Sequence, residues 1–347
     1  MDLLTSLLKL LGRAQAPDTG FVEPAGLLSP ARAAAAPPAR PAVRSAAGPV
    51  PVLDVPRPFE GNVNRHFTAA LLGVGTLRAS EVGSAERRIV EQLEELAGDS
   101  RASNLVPRLP VVLPRLIALV RRDDVSPRDL AERLSSDPTL VGELVRLANS
   151  PRYRTGRDIA DLQGAVIALG QRGLMQLVIS AAMRPIFNAQ QGRFSRNAST
   201  RVWDLTERCS HACAHLCSNA TGRFQAYLAG MAANIGLITA LRVLDADYWE
   251  QPSDAEDFHD ALARAAAKLS GRIARQWEFP PTVCRAIDQG AVCPPGTAGG
   301  ELSEVLRTAD RISKWHVLVP GLRATALQGL DDSERGCYIE LECAFSR

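Results

Sequence analysis

The sequence predicts an all-α protein. Start and stop signals for short helices recur along the chain, and alternating β-branched runs are few. Apolar residues make up 46% of the 347, so amphipathic helices have enough material to bury a sizeable common core.

In chain order, Leu3, Leu4, Leu7, Leu8, Leu10 and Leu11 are spaced as in a short amphipathic helix over 1–13. It is too short to stand alone in water, so it would dock on the body, on a partner or weakly on a membrane surface. Residues 14–56 are a Pro/Ala-rich linker with few large side chains, unable to offset their own ordering entropy. Globular patterning begins near Phe59, and 57–105 reads as an N-terminal helical extension.

Ser126-Pro127 and Asp137-Pro138 each supply an N-cap followed by a proline whose missing N–H costs nothing in a first turn. The second helix carries Leu140, Val141, Leu144, Val145 and Leu147 and ends at Asn149, where a left-handed cap suits Asn. Asp161 caps a helix to Gly170, and an apolar stretch Leu174 to Ile186 follows. Asn188 to Thr200 reads as a polar loop. Helices are expected over Arg201–Thr221, Ala226–Val243, Phe258–Gln276, Pro281–Gln289 and Leu302–Lys314, with a loop from Asp288 to Gly300. The segment 315–347 is a tail, in which Tyr338 to Glu342 alternates as a lone strand would.

Composition limits the function classes. The net charge is only +2 and aromatics are 5%, so nothing suggests general nucleic-acid binding. Seven cysteines, an odd number without a secretory pattern, read as reduced thiols and imply a cytoplasmic protein. No apolar run approaches the roughly 20 residues of a membrane span, so no transmembrane segment is expected.

Several stretches, in order, resemble the HDOD family, which shares the fold of the HD phosphohydrolases. They are Leu109-Pro110 to Pro114; Asp137-Pro138 with Leu147-Ala148-Asn149-Ser150; and Ala165 to Gly170 with Leu174, Leu177 and Val178. Trp203, at the head of a helix, comes next. Then come Tyr227 to Gly236, which includes Gly230 and Gly236, and Trp277-Glu278-Phe279-Pro280. The resemblance covers 106–314 and implies an HD-like helical bundle in bacterial signal transduction, where such domains bind signalling proteins, with links to cyclic-dinucleotide pathways.

HD phosphohydrolases hold metal through His and Asp side chains converging on one point, because a divalent ion needs several lone-pair donors. Aligned with them, the His-Asp pair is Ala233-Asn234, and an upstream His position is Leu205. The later His-His position falls near Gly290-Ala291, and only Asp310 keeps a ligand type. The resemblance therefore implies no catalytic residues, no metal and no cofactor.

Other candidates have plainer readings. The literal His259-Asp260 lacks the family's Gly frame and reads as chemistry at a helix start. Cys209, Cys213 and Cys217 stack on one helical face with Val202 and Leu205, and so act as small hydrophobes. His211 and His215 lie on the opposite face, so a zinc site there would need ligands from elsewhere. Arg193, Arg196 and Arg201 could meet phosphates. Arg193 and Arg196, with Phe194 between them as an apolar anchor, make the loop from Asn188 to Thr200 the best interaction candidate. The leading function is a non-catalytic regulatory module acting through protein–protein contacts. The rivals are a metal-dependent phosphohydrolase of nucleotides or cyclic dinucleotides, and a nucleotide-binding sensor without catalysis.

Overall fold

The computed structural model describes residues 62–98, 104–108, 138–150, 153, 158–188, 192–219, 222–246, 252–292, 300–321, 327 and 329–345. The stretches 1–13 and 14–56, Leu109 to Pro114, Ser126-Pro127 and Asp137 lie outside them. The helices among the described residues are α1 (Val63–Leu72), α2 (Ser84–Gly98), α3 (Pro138–Ala148), α4 (Leu162–Asn188), α5 (Arg193–Leu216), α6 (Arg223–Ala233), α7 (Ile235–Ala246), α8 (Glu256–Gln276), α9 (Pro281–Val292), α10 (Glu301–Leu318) and α11 (Asp332–Phe345). No strand occurs among the described residues beyond an isolated bridge between Arg78 and Ala255.

Two helices organise the bundle. α5 packs on α6, α7, α10 and α11, and α8 packs on α1, α2, α7 and α9. Their buried faces follow from sequence spacing. Val202, Leu205, Cys209, Ala212 and Cys213 are fully buried along α5, and Phe258, Leu269 and Ile273 along α8. Close approach needs residues without side chains. A Cβ on Gly230 would stand 2.5 Å from the Ser210 Cα, and one on Gly236 1.9 Å from the Ala266 carbonyl oxygen. These two glycines let α6 lie against α5 and α7 against α8 at backbone distance.

The helix ends explain several sequence signals. The Asn62 side chain accepts from the Asn64 N–H at 3.1 Å to start α1, and Gly73 closes it at φ 78°. Gly170, at φ 66°, breaks α4 into the two pieces the sequence suggested. Asn149 ends α3, but not in the left-handed conformation expected. Its amide bridges to the Ile159 backbone instead, donating to the carbonyl at 2.7 Å and accepting from the N–H at 2.8 Å. Ser150 donates to the Leu147 carbonyl at 2.6 Å, and Ala148 is fully buried. Trp203 is buried edge-on to Phe187. Trp277 is the C-cap of α8 and 2% exposed, and buried Pro280 immediately precedes α9.

Other expectations need correction. Residues 193–200 are not loop but the first two turns of α5, which therefore starts before Arg201 and ends at Leu216. The stretch Ala226–Val243 is two helices parted at Asn234, and α9 runs on to Val292. Tyr338 to Glu342 is neither strand nor tail. It belongs to α11, whose Cys337, Tyr338 and Leu341 are buried against α10 and α5. Finally, the 24 residues Arg223–Ala246 are long and apolar enough to span a membrane, although 89% of their most apolar window is buried inside the bundle.

Candidate functional site

The break between α6 and α7 sets the site. Two apolar helices meet at Asn234, which is 4% exposed and closes α6 as its C-cap. The break places Ala233 and Asn234 on the wall of a cavity of about 760 Å³. α10 supplies Asp310 and Lys314, α1 supplies Asn64, Phe67 and Thr68, and α11 supplies Glu334. Apolar surface from Leu237, Ala266 and Ile287 forms much of the remainder.

Among the positions singled out by the family resemblance, Ala233, Asn234 and Asp310 come together here. Gly290, at the later His-His position, also lines the cavity. Leu205 does not line it. It is fully buried in the core face of α5.

Asp310 has both oxygens engaged. The Asn234 amide donates to Oδ1 at 3.1 Å, and the Lys314 ammonium, one turn further along α10, pairs with Oδ2. Lys314 also donates to the Asn64 Oδ1 at 2.7 Å. Arg311 pairs with Glu334, and Arg307 with Glu304, so the cationic stripe of α10 is matched by carboxylates. Reasoning from the sequence missed Lys314 and Asn64. The four-residue spacing of Asp310 and Lys314 was a usable signal; nothing pointed to Asn64, which arrives from a distant segment.

These residues do not fit a divalent metal ion. The three carboxylates that line the cavity are each already paired with a cation, Asp310 with Lys314, Glu304 with Arg307 and Glu334 with Arg311, and Ala233 offers no donor. Among the described residues, no three His, Cys, Asp or Glu side chains gather in a group able to hold a metal ion.

The other candidates lie elsewhere. His259 is fully buried beside Ser253, its Nε2 2.9 Å from that carbonyl oxygen, and burial pushes its pKa down. Asp260 accepts from Arg65 Nε at 3.1 Å and from Asn62 Nδ2 at 2.7 Å, which fastens α1 to α8. Cys209, Cys213 and Cys217 are buried, and burial raises the Cys213 thiol. Across the helix, His211 meets Glu340 at 3.2 Å and His215 is exposed. Arg201 donates to the Ala70 carbonyl at 2.8 Å, tying α5 to the end of α1 rather than awaiting a phosphate.

The interaction candidate is only half sustained. Arg193 and Arg196 are exposed on the first turn of α5, but Phe194 is 4% exposed and belongs to the core. The Asp245 carboxylate accepts from the Phe194 and Ser195 N–H groups at 2.7 and 3.0 Å, so this turn is tied down by α7.

The family model of the HDOD domain matches residues 106–291. An uncharacterized protein of Treponema pallidum (strain Nichols) is 22% identical over 196 residues, which span 52% of this chain but only 37% of that relative. Two solved structures share the fold. An HDOD domain protein of unknown function from Geobacter sulfurreducens superposes with a TM-score of 0.50 at 19% identity, over 74% of this chain and 89% of its own. A Shewanella amazonensis SB2B protein, assigned as a metal-dependent phosphohydrolase, gives 0.52 at 20% identity, over 76% of this chain and 100% of its own.

Proposed function

This chain belongs to the HDOD domain family, and from that premise we propose that it is a non-catalytic signalling module that works by binding other proteins. The observation that carries this reading is the state of Asp310. Its two oxygens are taken by Asn234 and Lys314, so the one position of the family's metal-binding pattern that keeps a ligand-type residue is already engaged. Phosphoryl-ester hydrolysis on an HD scaffold needs a metal to polarise the ester and to generate hydroxide at neutral pH, and no side chain here stands in for it. The cavity supports a second role for the same site. At about 760 Å³ it falls in the range of small-molecule pockets and combines apolar walls with a few convergent polar groups. A nucleotide or cyclic dinucleotide held there without cleavage would make the module a sensor. The buried, unpaired thiols suit a reducing compartment, and the cytoplasm is our proposed place of action.

The test is a turnover assay. The purified chain, with manganese or magnesium added, is offered phosphomonoesters, nucleotides and cyclic dinucleotides. No product above a metal-only blank is expected. Turnover that disappears in Asp310→Ala would overturn the proposal. Calorimetric titration of the same nucleotides separates the two non-catalytic roles, because heat of binding without product favours the sensor.

A further inference from the structure

Resting on the non-catalytic reading above, we infer that Lys314 is a built-in counter-cation. Its ammonium holds the place a divalent ion would need, and Asn64 on α1, outside the family match, holds it there. The starting point is a cost. The Asp310 side chain is 21% exposed, and withdrawing a carboxylate from water costs free energy that a nearby cation offsets. A scaffold without a metal ion has to neutralise it by other means. Lys314 does so from one turn away on the same helix, with only 11% of its side chain exposed. A lysine so deeply buried is uncommon unless paired.

The ammonium's partners are of the kind a hard cation uses. Asp310 Oδ2 is a carboxylate oxygen, and Asn64 Oδ1, at 2.7 Å, is an amide oxygen. Asn234 completes the set. Its Nδ2 now donates to Asp310 Oδ1 at 3.1 Å, and turning the amide over would present an oxygen instead. Asp310, Asn64 and Asn234 together offer one charged and two neutral oxygens. While Lys314 is present, an arriving divalent ion meets a positive charge already on the carboxylate and is repelled. Without it, the same three oxygens with bound waters resemble a weak magnesium or manganese site. Because Asn64 belongs to α1, the N-terminal extension takes part in keeping the cleft closed to metal.

The experiment compares melting temperatures of the full chain, Lys314→Ala, and Lys314→Ala/Asp310→Asn, each with and without millimolar magnesium or manganese. We expect no cation effect on the wild type. Lys314→Ala should melt lower and recover by about 3 °C or more with the ion, the shift expected from a ligand at roughly ten times its Kd. The double variant, which has no orphaned carboxylate, should melt above Lys314→Ala in the absence of metal and ignore the ion. If Lys314→Ala does not fold, the double variant should. Failure of both to fold means that Lys314 does something other than neutralise Asp310, and overturns the inference. So does a Lys314→Ala protein that is indifferent to the cations, or a wild type that responds as strongly. Turnover by the wild type would sink the non-catalytic reading whatever these variants do; a missing cation response sinks only the counter-cation.

Discussion

His316, on α10, has 3% of its side chain exposed, and Arg208 Nε donates to its Nδ1 at 3.0 Å. A ring nitrogen that accepts from a guanidinium cannot also carry a proton. Burial, reinforced by the Arg208 charge and opposed by Glu342, pushes the His316 pKa down from 6.5 to about 4. Nε2, which carries the one proton of the neutral ring, stands 3.3 Å from Glu342 Oε1 without hydrogen-bond geometry. The folded pKa is depressed, so the unfolded chain binds the proton more readily. Stability from this group is therefore complete above 6.5 and drains away as the pH falls toward about 4. At roughly 1.4 kcal/mol per unit the loss is up to about 3 kcal/mol. His66 and His259 shift in the same direction, also chiefly through burial, and steepen the decline. Urea midpoints measured across this window should fall, and His316→Asn, whose amide oxygen can still accept from Arg208, should fall less steeply. An unchanged slope in that variant would count against the assignment. Trp277 tests burial alone. It is 2% exposed and lies nearly parallel to Phe279. Trp277→Ala should cost roughly 3–5 kcal/mol in chemical denaturation. A variant as stable as the wild type that has lost partner binding would place the residue in an interface instead.

At the scale of elements, the first turn of α5 separates core from surface within four residues. Phe194 is 4% exposed, and the Asp245 carboxylate caps the N–H groups of Phe194 and Ser195. Phe194→Ala should therefore destabilise by about 3 kcal/mol or more, and Asp245→Ala by about 1–2 kcal/mol. Arg193→Ala and Arg196→Ala, on the exposed side, should stay within about 0.5 kcal/mol of the wild type. Any effect of the arginines on partner capture would then be a surface effect, readable without loss of fold. Equal melting curves for all four variants would contradict the packing described.

Across the whole molecule, segments on both sides of the family match complete the bundle. α1 is fastened by Arg65 to Glu256 and Asp260 and by Arg201 to its last turn. α11 is fastened by the Arg311–Glu334 pair and by Tyr338, whose hydroxyl donates to the Val319 carbonyl at 3.2 Å. Cys337 and Leu341 are fully buried beneath it, and burial pushes the Cys337 thiol up to about 12. A chain ending at Gly321 should uncover this face on α10 and α5 and, relative to the full chain, melt lower and bind more of an apolar dye. Unaltered melting would mean that α11 is an appendage rather than part of the core.

The all-α class, most helices between Pro138 and Lys314 and the buried cysteine stripe were legible in the sequence, because capping and 3.6-residue periodicity are local properties. Local rules failed where long-range partners intervened. Residues 193–200 are polar enough for a loop, yet Asp245, about fifty positions away, caps them into helix. The alternation at Tyr338 to Glu342 mimics a strand, yet burial of Tyr338 and Leu341 against α10 and α5 selects helix. The sequence by itself determined that Ala233 and Asn234 cannot serve as a His-Asp pair, since ligand chemistry depends on residue type alone. Only the tertiary structure decided what pairs with Asp310. Asn64 and Lys314 are 250 positions apart, and the cost of burying Asp310, which their pairing offsets, does not exist until the chain has folded around it.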